Sequence, residues 1–296
     1  MSAPLDAVLE PTTGRRAADF LALTKPRITL LVVLTTLVGY WEGRTTGTDR
    51  AVLLNTLVGT ALVAAAASAL NQYAEWRVDA AMRRTAKRPL PSGRLEPQVA
   101  FAFGLVLWTL GAAWLRLTVN PLSSALAMIT AASYLLAYTP LKRVTSLATV
   151  VGAVPGAIPP MIGWAAARND LGTGAWVLFL IVFLWQMPHF LAIAALYKRD
   201  YAAAGFQMLP VVEPGGASTG RQAALYALAL IPVSLMPAFL GMAGRLYFAF
   251  TLLLGVLFLV AAVHFMLQPG EPVRARRLFR FSLVYLPIVM VLLVAA

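Results

Sequence analysis

Long stretches without a charged residue recur along the chain, at 51–74, 97–115, 117–141, 144–167, 171–197, 222–244 and 246–270. About 20 apolar residues in α-helix cross the hydrocarbon core of a bilayer, so each run predicts a membrane span. Two shorter runs, 28–41 and 281–296, also span if Lys25, Arg27 and Arg280 snorkel to the interface. The pattern predicts an all-α, multi-pass transmembrane bundle of about nine helices. The spans lie near 24–43, 51–75, 97–116, 121–139, 146–166, 173–197, 222–243, 246–267 and 278–295. Residues 1–23 read as a tail and 24–296 as one transmembrane domain. The connections after spans two and six are the long ones. A weak parallel repeat relates "NQYAEWRVD" to "YKRDYAAAG", which emerge four helices apart on one membrane face.

Composition agrees with the pattern: of 296 residues 60% are hydrophobic and 12% charged, and mean hydropathy is +0.76. The formal charge of +12 raises the question of an anionic partner such as nucleic acid. Its distribution answers it. Nineteen of the 24 lysines and arginines fall in the tail, in 71–97, 139–145, 197–222 and 268–280, or at adjoining helix ends. The other side carries only Arg44, Arg50, Arg116, Arg168 and Arg245. The positive-inside rule places the tail and the motif-bearing loops in the cytoplasm, and no nucleic-acid partner is expected. Without cysteine there is no disulfide, thiolate chemistry or Cys-bound metal. Residues 1–19 have neither a signal-peptide core nor transit-peptide character, which favours a bacterial inner (plasma) membrane.

The polar residues that interrupt this pattern carry the candidate chemistry. In "NQYAEWRVDAAMRRTAKRPLPSG", residues 71–93, Asn71, Glu75 and Asp79 stand four apart on one helical face, spanning about 12 Å. A carboxylate in a membrane helix costs roughly 2.5–3.5 kcal/mol near the centre and less toward the end, so these acids belong in a polar cavity. Either the helix end frays into water, or the amide and two carboxylates form a Mg²⁺ site completed by water and substrate phosphate. Arg84, Lys87 and Arg88 follow at once. As plain topology determinants they need no further role; with the acid stripe they make a two-sign site in which metal bridges diphosphate and guanidinium groups take leaving-group charge.

A second motif, "WQMPHFLAIAALYKRDYAAAGFQMLP", ends span six with Lys198, Arg199 and Asp200, either a surface ion-pair cluster or the other wall of the same metal and diphosphate site. His189 follows Pro188, a position expected to kink the helix, and is either a structural hydrogen-bonder or functional. "YLLAYTPLKR" brings Tyr138, Lys142 and Arg143 to the same face. Tyr138 reads as an interface anchor or as a ring that stabilises a carbocation. "VGAVPGAIPPMIGW" supplies small residues for close helix packing, and His264 reads as structural.

Taken in order, "TKPRITLLVVLTT", "NQYAEWRVDAAMRRTAKRPLPSG", "YTPLKR", "GAIPPMIGW" and "WQMPHFLAIAALYKRDYAAAGFQMLP" resemble the UbiA superfamily of intramembrane aromatic prenyltransferases, and within it the haem-modifying branch. The resemblance covers roughly residues 24–212. It implies a bundle around a central cavity open to the cytoplasm, and Mg²⁺-dependent transfer of a farnesyl group from farnesyl diphosphate to a vinyl group of haem B, giving haem O. Asn71, Glu75, Asp79 and Asp200 match the catalytic, metal-holding acid motifs. Arg84 and Arg88 match the diphosphate-binding pair, to which Lys87, Lys142, Arg143, Lys198 and Arg199 are added as candidates. His189 matches a histidine expected to face haem. Ala204 stands where quinone-type members carry a second aspartate, and Glu75 where many carry Asp. Haem B, farnesyl diphosphate and the lipid bilayer are the implied partners, with a haem A synthase as a further one. The nearest alternative is the same chemistry on a quinone or other aromatic precursor. A secondary transporter is the third reading, disfavoured because both motifs sit at one face rather than at broken midplane helices.

Overall fold

The computed structural model describes residues 13–45 and 47–295. Residues 1–12 of the tail lie outside the described part. The first described element, α1 (Thr13–Leu23), meets α2 (Pro26–Gly43) at a 45° bend. Then follow α3 (Arg50–Asp79), α4 (Pro97–Thr118), α5 (Pro121–Ala132), a π-helical turn (Ser133–Tyr138), α6 (Thr139–Leu141), α7 (Ala148–Ala157) and α8 (Pro159–Arg168). The second half contains α9 (Thr173–Leu196), α10 (Lys198–Ala203), α11 (Leu209–Val212), α12 (Ala217–Phe239), α13 (Arg245–Leu267) and α14 (Pro272–Val294). Among the described residues eight spans are long and apolar enough to cross a membrane, nine if the bent α1–α2 pair counts as one. No strand occurs among them. The chain is an all-α, multi-pass membrane protein.

Local chemistry explains the boundaries. Asp49 caps α3 by accepting hydrogen bonds from the Ala51 and Val52 amides at 2.9 and 3.1 Å. Proline opens α2, α4, α5 and α14 at positions where its missing N–H is no loss. The predicted fifth span breaks at Ile158, because Pro159 and Pro160 cannot donate the next two helical hydrogen bonds. Pro188 does not divide α9, which continues as helix through it. The last span begins earlier than hydropathy suggests, since its first turns carry Arg274, Arg276 and Arg277 beyond the apolar stretch.

The core sits around α9, which packs against α7, α8, α12 and α14. Leu178, Ile181 and Leu191 of α9 meet Leu230, Phe258, Phe265 and Tyr285 in one buried cluster. Leu117, Phe239 and Leu246 are instead largely exposed and face the surroundings that lipid fills. Lipid is as apolar as leucine, so close packing rather than water exclusion holds such helices together. The α2–α8 contact is the tightest case. A methyl group added to Gly39 would run into the Pro160 backbone, and one on Gly163 into the carbonyl of Thr36. The "GAIPPMIGW" segment therefore packs backbone to backbone, as its small residues suggest.

Candidate active site

A cavity of about 190 Å³ opens at the end of the bundle where α3 stops, walled by α3, the π turn, Lys142, α9 and the segment after α10. The four-residue spacing does what helical geometry requires. Asn71, Glu75 and Asp79 all line it, and all three are buried. Asn71 Nδ2 donates to Glu75 Oε2 at 3.1 Å and to Thr139 Oγ1 at 3.2 Å. Lys142 Nζ reaches Glu75 Oε1 at 2.8 Å and Oε2 at 3.1 Å, and Arg88 Nη1 reaches Asp79 Oδ2 at 2.6 Å. Each carboxylate thus has a cation as its present partner, as a buried charge must.

The cations outnumber the acids. Lys25, Arg84, Arg88 and Lys142 line the cavity against Glu75 and Asp79, a surplus of two positive charges. Such a surplus suits an anion larger than one carboxylate. Burial alone would lower the pKa of Lys142, but Tyr138, Tyr134 and Glu75 outweigh it and hold the ammonium above the ordinary lysine value. Its Nζ also lies 4.3 Å from the centre of the Tyr138 ring. Burial, the largest influence, raises the phenol of Tyr201, which lines the far wall.

The segment after α3 is built to hold Arg84 and Arg88 in place. Thr85 Oγ1 donates to the Asp79 carbonyl at 2.7 Å, and Met82 and Leu90 are buried. Pro89 O accepts from the amides of Arg94 and Leu95, while Arg94 Nε clamps Asp19 of α1 at 3.0 and 3.2 Å. On the next wall the Gln207 amide donates to Lys142 O at 2.7 Å, tying the connection after α9 to the turn that follows α6.

The other sequence candidates lie elsewhere. Lys87, Arg143 and Arg199 are exposed, and Lys198 Nζ donates to the Pro214 carbonyl at 3.0 Å. Asp200 is half-buried on α10 and is not part of the cavity wall, whereas its neighbour Tyr201 is. The chain turns at Tyr197 into α10, and one step round a helix is about 100°, which separates the two side chains. Asp200 thus stands outside the wall that Asp79 lines, and among the described residues no three His, Asp or Glu side chains gather closely enough to hold a metal by themselves. Asn71, Glu75 and Asp79 remain as hard oxygen donors, a set that fits Mg²⁺ when water and phosphate oxygens fill most positions.

His189 faces α14. Its Nδ1 lies 2.7 Å from Ser282 Oγ, and its ring stacks on Trp185 and packs on Phe279. Ser282 Oγ also lies 2.6 Å from the Phe279 carbonyl. A hydroxyl has one proton, so both contacts are satisfied only when Ser282 donates to that carbonyl and His189 donates from Nδ1. The tautomer assigned in this way leaves Nε2 with its lone pair.

Sequence reasoning missed three cavity groups: Lys25, Tyr134 and Tyr201. Two had a signal. The residue before a proline is pushed out of the helical region, and Lys25, ahead of Pro26, adopts φ 46°, which brings Nζ 3.4 Å from Asn71 Oδ1. Pro140 cannot donate to the carbonyl four residues back, a place where a π turn relieves the mismatch. That turn puts Tyr134 OH 3.4 Å from Asn71 Oδ1 and its ring 5.2 Å from Tyr138.

Residues 32–284 match the UbiA prenyltransferase family, and the chain belongs to it. The fold agrees. A UbiA homologue from Archaeoglobus fulgidus, described as bound to GPP and Mg²⁺, superposes with a TM-score of 0.65 at 14% identity over 94% of this chain and 100% of that one. A structure concerning digeranylgeranylglyceryl phosphate synthase reaches 0.79 at 18% identity, over 95% and 98%. Within the family the chain is similar to the protoheme IX farnesyltransferase of Solibacter usitatus, 51% identical over 92% of this chain and 96% of the relative. It is likewise similar to that of Myxococcus xanthus, 47% identical over 91% of both.

Proposed function

We propose that the chain is a Mg²⁺-dependent enzyme of the bacterial inner membrane, its motif face cytoplasmic and residues 24–296 forming one catalytic domain. It joins farnesyl diphosphate to a vinyl group of haem B, giving haem O. The observation that carries this reading is near-full-length similarity, at 51% identity, to a protoheme IX farnesyltransferase. The cavity supports it with an acid stripe and a surplus of cations along one lining.

The C1–O bond of farnesyl diphosphate breaks and its electron pair leaves with diphosphate. The vinyl terminal carbon supplies the electrons for the new C–C bond. Water then adds to the adjacent carbon and loses a proton, leaving a hydroxyethylfarnesyl group. Bound Mg²⁺ supplies charge neutralisation to the departing diphosphate. Asn71, Glu75 and Asp79 hold that ion. Arg84, Arg88, Lys142 and Lys25 bind the diphosphate oxygens, so Arg88 and Lys142 exchange their carboxylate partners for it. The rings of Tyr134 and Tyr138 face the developing allylic charge, and the apolar walls limit water. His189 presents Nε2 toward haem. The product implies a consumer that oxidises haem O, the chemistry of a haem A synthase.

Purified protein in detergent, given haem B, farnesyl diphosphate and Mg²⁺, should form the hydroxyethylfarnesyl product by mass spectrometry and lose it with EDTA. Product only with a quinone precursor would overturn the acceptor. Folded protein silent with every acceptor would overturn the reaction.

A further inference from the structure

A second cavity, about 470 Å³, opens at the opposite end of the bundle. It lies where α2 and α8 end and α9 begins, so a whole membrane thickness separates it from the acid stripe. Its charged wall carries Glu42, Arg44 and Arg168, and Leu240, Met242 and Leu293 make an apolar side.

The charges there are poorly matched. Arg44 Nη1 is buried and has no hydrogen-bond partner among the described residues. Glu42 takes part in no ion pair among them, although it lines the same cavity two residues away. Among the described residues the one carboxylate that Arg168 reaches is the exposed Asp170, at 3.5 Å. An unpaired buried guanidinium atom costs stability unless something accepts its proton.

We propose that this cavity binds the headgroup of an aminophospholipid from the leaflet on that side. Arg44 and Arg168 take the phosphate, Glu42 takes the primary ammonium, and the acyl chains run down past Leu240, Met242 and Leu293. A wall that carries both signs suits a zwitterion better than a simple anion, which Glu42 repels. A quaternary ammonium fits less well. It has no N–H to give Glu42, and the tryptophan faces that attract such groups already carry guanidinium: Arg44 Cζ sits 3.2 Å from the Trp41 ring centre and Arg168 Cζ 5.5 Å from that of Trp164.

The test is delipidated full-length protein titrated with phosphatidylethanolamine, phosphatidylcholine, phosphatidylglycerol and soluble glycerophosphoethanolamine, read by native mass spectrometry and thermal unfolding. Phosphatidylethanolamine should bind about tenfold more tightly than phosphatidylcholine. Glu42→Gln should erase that preference while retaining phosphatidylglycerol, and Arg44→Gln should weaken all phospholipids, with Arg44→Lys recovering part. Circular dichroism and gel filtration establish that each variant is folded; should Arg44→Gln fail to fold, the Glu42→Gln selectivity decides alone. Equal binding of ethanolamine and choline lipids, or a preference that survives Glu42→Gln, would overturn the assignment. Glycerophosphoethanolamine binding as tightly as the lipid would move the site to free phosphate esters.

Discussion

The two motif-bearing connections emerge on the same face, yet they are built differently. After α3, Asn71, Glu75 and Asp79 are all buried and bonded, and Arg88, Thr85 and Arg94 lock the following turns to α3 and α1. After α9, Asp200 stands off the cavity wall, Lys198 caps a distant carbonyl, and only Tyr201, Phe206 and Met208 contribute surface. One side holds charge in fixed positions while the other shapes the space around it. Fixed dipoles and charges are the component of a site that acts most strongly on a transition state, because they need no reorganisation when charge develops.

The sharpest way to break that contrast is to remove charge on each side. Asp79→Asn should lower kcat by about 10²–10³-fold, the scale seen when one preorganised electrostatic group is lost, in protein that still gel-filters as wild type. Asp200→Asn should cost about tenfold or less. Equal losses in the two variants would dissolve the distinction.

Lys142→Met leaves Glu75 buried without its cation, which should destabilise by about 3–5 kcal/mol, read as a lower Tm. The paired variant Lys142→Met with Glu75→Gln should recover most of that stability but not activity. The pH dependence follows the same pair. Because the folded state holds the Lys142 pKa above its ordinary value, its contribution is complete below about 10.5 and is lost as pH rises through the folded value. Thermal unfolding from neutral to strongly alkaline pH should therefore converge with that of Lys142→Met at the alkaline end only. Smallest of all, Ser282→Ala frees the His189 tautomer without touching the cavity. It should raise KM for haem severalfold and leave kcat nearly unchanged, since only the direction of the ring is loosened.

The fold was largely legible because lipid forces the hydrophobic pattern: a charge-free run of sufficient length has few alternatives to a helix. The acid stripe was legible for the same reason, as helix period alone puts Asn71, Glu75 and Asp79 on one face. What escaped depends on local departures from ideal helix. The π turn that swings Tyr134 inward, the break at Ile158 and the positive φ of Lys25 each sit beside a proline, whose presence marks a disturbance without saying which way the side chains turn. The divergence of Asp200 from Tyr201 depends on a single turn at Tyr197, and composition carries no trace of it.

The glycine contacts that seat α2 against α8 also set a timetable for assembly. Gly39 cannot find its Pro160 surface until some 120 further residues have left the ribosome, which at about 5–20 residues per second takes roughly 6–24 s. Through that interval the first span waits in the membrane without its closest partner, while the hairpin of α3 and α4 is made beside it. The insertion machinery, or lipid itself, must shield its glycine face during the wait. Crowding that face early, with alanine at Gly39 and at Gly43, should therefore act on the yield of inserted protein.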